Sequence, residues 1–112
     1  MYPIGYTPLN TILRTAEFDR WLGALRDRKA QARILARIAS ARHGNFGDCK
    51  SVGGGVSEMR VDVGPGYRVY YTRRGETVYL LLVGGDKSTQ TMDVRRAQRM
   101  AYQLKESDAH KE

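Results

Sequence analysis

The stretch GYRVYYTRRGETVYLLLVGGDKSTQ, residues 66–90, decides the fold. Its first part alternates: Arg68, Tyr70 and Thr72 fall on one side of an extended chain, Val69 and Tyr71 on the other. Arg73-Arg74-Gly75-Glu76 reads as the turn of a hairpin. VYLLLV, residues 78–83, is apolar at both parities, as a strand covered on both faces would be. Gly84 and Gly85 follow, with Asp86 and Lys87 directly after them. Glycine permits a sharp bend and the close approach of a bulky group. The pair is therefore expected to end the strand and leave room for a ligand beside Lys87.

Upstream, Met59, Val61 and Val63 alternate with Glu58, Arg60 and Asp62, a strand over 57–63 with one covered face. GPG at 64–66 turns the chain into the next strand. PLNTILR, residues 8–14, suits a short first strand with a proline at its start. Thr15 is placed to cap a helix in which Phe18, Trp21, Leu22 and Leu25 form a packing stripe. A second helix from about Arg28, RKAQARILARIASAR, buries Ala30, Ile34, Ile38 and Ala41 on one face. It presents Lys29, Arg33 and Arg37 on another. HGNFGDCKSVGGG, residues 43–55, reads as a flexible loop. After Lys87, Ser88 or Thr89 caps a third helix with Val94, Ala97, Ala101 and Leu104 inward. The tail, 105–112, is expected to fray, with His110 a spectator. The order β-α-α-β-β-β-α predicts one α+β domain over 1–112 with its core at 8–104. In it, a helical hairpin packs on an antiparallel sheet of about four strands.

The totals narrow the function. The 112 residues fit one core, and 19 Lys and Arg against 12 Asp and Glu leave a net charge of +7 that attracts polyanions. A lone Cys49 forms no internal bridge, which points to a reducing, cytoplasmic location. No apolar run is long enough to span a membrane, and the N-terminus lacks the pattern of a signal peptide.

Side chains on one face of neighbouring antiparallel strands lie within roughly 4.5–8 Å of one another. That spacing groups Glu58 and Arg60 with Arg68 and Tyr70, and Lys87 follows the next strand. Arg68 can grip a phosphate with two donors, Lys87 adds a charge, and Glu58 can accept a proton. Such parts suit RNA cleavage in which a ribose 2′-hydroxyl attacks the adjacent phosphate. The clustered Asp and His residues of a two-metal site are missing from the sequence. A route without metal or other cofactor is expected.

SEMRVDVGPGYRVYYTRRGETVYLLLVGGDKSTQTMDVRRA, together with EFDRWLGALRD and RIASARHGNFGD, resembles the RelE/HigB superfamily of toxins, in its addiction-module killer (phage Gp49-like) branch. The resemblance spans about residues 9–104. It implies a RelE-like fold and a ribosome-dependent mRNA endoribonuclease, the toxin of a type II toxin–antitoxin pair. The implied partners are the ribosome, mRNA and a cognate antitoxin with a DNA-binding domain; no membrane is involved. By position, Arg68 matches the family's phosphate-binding arginine, Arg60 a basic residue of the preceding strand, and Lys87 the basic residue after the last strand. Glu58 falls where several relatives carry a lysine linked to proton abstraction. Where many relatives have a tyrosine or histidine, this chain reads STQTMD and offers Gln90. Glu58, Arg60, Arg68 and Lys87 are thus the expected catalytic set. Lys29, Arg33, Arg37, Lys50, Tyr70 and Gln90 are the expected RNA contacts, with Tyr70 or Tyr71 stacking on a base; Tyr71, on the side of the strand opposite Arg68, is alternatively a core residue. The alternative is a catalytically inactive module of the same fold that binds RNA or protein.

Overall fold

The computed structural model describes residues 9–109. The elements run β1 (Thr11–Arg14), α1 (Ala16–Ala24), α2 (Arg28–Arg42), β2 (Cys49–Gly53), β3 (Val56–Val61), β4 (Tyr67–Arg73), β5 (Val78–Asp86) and α3 (Gln90–Ala109). A 3₁₀ turn, Lys87–Thr89, precedes α3. Pro8 and His110 lie outside the described residues.

The α1 start is fixed by Thr15. Its hydroxyl accepts from the Phe18 N–H at 2.9 Å and donates to the Leu82 carbonyl at 2.7 Å, so one side chain caps the helix and docks it on β5. Asp27 caps α2, accepting from the Ala30 N–H at 3.0 Å. Both stripes read from the sequence face inward. Phe18 and Leu22 of α1 and Ala30, Ile34, Ile38 and Ala41 of α2 are buried against Met59, Val61, Val69 and Leu81. Fully burying side chains such as Phe18 and Ile34 contributes about 1.5–3 kcal/mol each.

The α+β class is as expected, and the sheet has one strand more than the sequence announced. Its order is β1-β5-β4-β3-β2, with β1 parallel to β5 and every other pair antiparallel. The additional strand, β2, comes from the segment read as a loop. CKSVG has almost no apolar pattern because it lies at the edge of the sheet, and it is recruited by pairing with β3.

The second departure concerns the face that carries Glu58, Arg68 and Tyr70, read from the sequence as the side that meets a substrate. It is not left open: α3 crosses it, and Val56, Tyr70, Leu82, Val83 and Ala97 form a second core there with Val94, Ala101 and Leu104 around it. The helix also continues past the expected fraying point to Ala109, and Arg74 Nη2 meets Asp108 Oδ2 at 2.8 Å in its last turn.

Gly84 and Gly85 do not end β5, which runs on to Asp86. Successive residues of a strand point to opposite faces, and each glycine makes room on its own face. A Cβ on Gly84 would lie 2.2 Å from the Trp21 ring of α1. One on Gly85 would lie 1.8 Å from Asp93 Oδ2 of α3. The glycines thus admit helix side chains against the strand backbone, in place of the bend and ligand space read from the sequence.

Candidate nucleic-acid cleft

Register decides which of the basic residues meet. Arg60 lies opposite Arg68 across β3 and β4, and Arg68 lies opposite Gly85 across β4 and β5. β5 then gives way to the 3₁₀ turn, whose first residue is Lys87. Asp86 fixes that turn: its carboxylate accepts from the Ser88 N–H at 2.8 Å and the Ser88 hydroxyl at 2.5 Å. Those bonds, the hydroxyl's above all, hold its carboxyl below the usual range, and the Arg68 charge adds a little. Arg60, Arg68 and Lys87 consequently line one cleft of about 460 Å³, shared with Asp48, Asp62 and the Gly64-Pro65-Gly66 turn.

Glu58 does not join them there. It is 0% exposed, sealed beneath the start of α3. Its Oε2 accepts from Gln90 Nε2 at 2.8 Å and stands 3.5 Å from Arg68 Nε. Arg68 is itself nearly buried, with a side-chain exposure of 12%, and its Nη1 donates to the Gly66 carbonyl at 3.1 Å. The carboxylate expected to face a substrate is therefore the buried counter-ion of the arginine. The alternation placed Glu58 on the right face, but it gave no sign that a later helix would cover it.

Tyr70, expected to stack on a base, is covered by the same helix. Its ring is wholly buried with Val56, Leu82 and Ala97, leaving no face on which a base could stack. Burial pushes its phenol well above the ordinary tyrosine value, and the Glu58 charge pushes the same way, so it stays protonated through the physiological range. Tyr71 is no substitute. It points to the α2 side and stacks on Phe46, with centroids 5.0 Å apart. Gln90 is half-buried, its amide turned inward to Glu58.

The basic face of α2 divides. Lys29 and Arg33 are exposed. Arg37 turns back onto the loop before β2, donating to the carbonyls of Arg60 at 2.5 Å, Phe46 at 2.9 Å and Asp48 at 3.5 Å. That loop carries Asp48, which holds Arg60 through Nη2 at 2.8 Å and Nε at 3.2 Å. Arg37 is thus a clamp one step removed from the cleft, bonded to the backbone of two residues that line it. Lys50 is exposed on β2, directly opposite Glu58 in register. Arg37→Met keeps much of the aliphatic stem but strips the donors from three carbonyls. It is expected to cost about 1.5–3 kcal/mol, the size of a charge-assisted hydrogen bond lost from a partly buried site. Urea denaturation with limited proteolysis of residues 43–48 checks it; an unchanged midpoint and cleavage pattern would contradict the clamp.

Among the described residues no helix is long and apolar enough to cross a membrane. The fold and cleft define a small α+β domain whose sheet ends in a convergence of three cations. Comparison with known proteins is specific about its kinship. The chain belongs to the phage derived protein Gp49-like family (DUF891), which matches residues 20–105. A relative from Haemophilus influenzae, described as an uncharacterized protein, is 47% identical over 93 residues, which is 83% of this chain and 94% of that one.

Proposed function

We propose that this protein is the toxin of a type II toxin–antitoxin pair, a ribosome-dependent endoribonuclease that cuts mRNA in the cytoplasm. The observation that carries the reading is the convergence of Arg60, Arg68 and Lys87 on one cleft, on a chain with net charge +7. Arg68, held from below by Glu58, offers its remaining guanidinium donors to the non-bridging oxygens of a phosphate. Lys87, exposed on its capped turn, supplies charge where the phosphorane develops. Glu58 and Gln90 act as positioning residues beneath the arginine. Lys29, Arg33 and Lys50 form an outlying positive surface for ribosomal RNA, through phosphate contacts that carry no sequence information. A cognate antitoxin with an acidic segment, carrying a DNA-binding domain, covers the cleft or the helical hairpin.

One observation favours a second reading, an inactive RNA- or protein-binding module: the carboxylate suited to take a proton is sealed from solvent. A defined message incubated with the protein, with and without ribosomes, separates the two. Cleavage that requires ribosomes is expected, together with growth arrest on expression and relief by the product of a neighbouring small gene. Tight RNA binding without any cut would establish the second reading instead.

A further inference from the structure

With Glu58 shut away, the proton of an attacking 2′-hydroxyl needs another acceptor. Two acidic residues line the cleft, Asp48 and Asp62. Asp48 is committed to Arg60 through both Nε and Nη2. Asp62 is exposed, and among the described residues its side chain enters no ion pair or hydrogen bond. Its backbone is nevertheless fixed. The Val63 N–H donates to the Val61 carbonyl at 2.9 Å, a three-residue turn centred on Asp62 that closes β3, and Asp62 is not among the residues with positive φ. Asp62 follows Arg60 by two positions, and Arg60 stands opposite Arg68. The turn thus fixes a residue with an uncommitted carboxylate among those that line the cleft with Arg60, Arg68 and Lys87. The charged groups around it are Asp48, Arg60, Arg68 and Lys87, with Asp27 of the α2 cap beside Gly64.

We infer that Asp62 is the general base of the cleavage, an inference that rests on the endoribonuclease reading. Its carboxylate takes the 2′-hydroxyl proton as the 2′-oxygen bonds to phosphorus. The bond from phosphorus to the 5′-oxygen breaks, and the leaving oxygen collects a proton from solvent. Protonated Asp62 returns its own proton to solvent. The products are a 2′,3′-cyclic phosphate and a 5′-hydroxyl end, with no change of oxidation state.

The test compares wild type, Asp62→Asn, Asp62→Glu and Glu58→Gln in single-turnover cleavage of a defined message on ribosomes, across pH, with ribosome affinity measured beside it. Asp62→Asn is expected to slow cleavage by about 10²–10⁴-fold, the range for losing a general base. Affinity should stay within threefold of wild type and the acidic limb of the pH–rate profile should vanish. Asp62→Glu should restore part of the rate and the limb. Glu58→Gln should keep the limb, because it only loosens Arg68. Asp62→Asn with the wild-type rate and profile overturns the inference while leaving the nuclease reading intact. A slowed rate that follows weakened affinity, with the limb retained, also overturns it by making Asp62 a binding residue. A wild-type protein that leaves messages uncut overturns the nuclease reading, and this assignment falls with it.

Discussion

Arg68→Ala is expected to reduce cleavage by about 10²–10³-fold, or about 2.7–4 kcal/mol of transition-state stabilisation, the loss typical of one preorganised donor to a developing anion. It should damage the fold as well. Glu58 is wholly buried, and Arg68 Nε is the cationic group beside its Oε2. Removing one member of a buried pair costs about 3–5 kcal/mol because the other is left uncompensated. Here the residual exposure of Arg68 and the Gln90 amide soften that to about 2–3 kcal/mol. The two losses separate in the double variant Glu58→Gln/Arg68→Ala, which removes the orphaned charge. Its urea midpoint should recover most of the stability while its cleavage stays as low as that of Arg68→Ala. Cleavage restored along with stability would show that Arg68 acts only through the fold.

The second large effect belongs to Gly84. An alanine in place of a strand glycine ordinarily stabilises, by about 0.4–1 kcal/mol, through the unfolded chain. At Gly84 the sign should reverse, because the new methyl would stand 2.2 Å from the Trp21 ring. Trp21 packs on Phe18 at 5.6 Å and on Tyr67 at 6.1 Å between centroids, so displacing it disturbs both contacts. Overpacking of this kind costs about 1–3 kcal/mol, and the upper end is expected here. In a Trp21→Ala background the same change should be neutral or stabilising, giving a coupling energy of about 2–3 kcal/mol across the cycle. Four denaturation curves measure it. Costs that add within about 0.5 kcal/mol would mean that the glycine serves some purpose other than admitting the indole.

How far the sequence reached depends on where each partner lies along the chain. The stripe Phe18/Leu22, the stripe Ile34/Ile38 and the Thr15 cap were legible because their partners sit within a few residues and repeat at the helical period. Arg68 and Arg60 were legible as neighbours because two alternating strands joined by one short turn leave little choice of register. Long-range facts were not. Nothing in CKSVG marks it as a strand until β3 pairs with it. Gly84-Gly85 has the same local appearance whether it bends the chain or makes way for Trp21 and Asp93. Alternation likewise assigns Glu58 and Tyr70 to a face without saying which helix will land on it. That single omission turned the expected base into a buried counter-ion and the expected stacking ring into core.

The parallel pairing of β1 with β5 also orders events in time. Thr11 leaves the ribosome early, yet its strand partner is Val78, and Gln90, which holds Glu58 beneath the arginine, follows later still. A chain made at about 5–20 residues per second exposes the apolar faces of α1 and α2 before Met59, Val69 and Leu81, which bury them, have been synthesised. The sheet edge and the floor of the cleft must wait for nearly the whole chain. On the proposed activity, the protein stays unarmed while its own message is being read, and the hazard begins only once translation is almost complete.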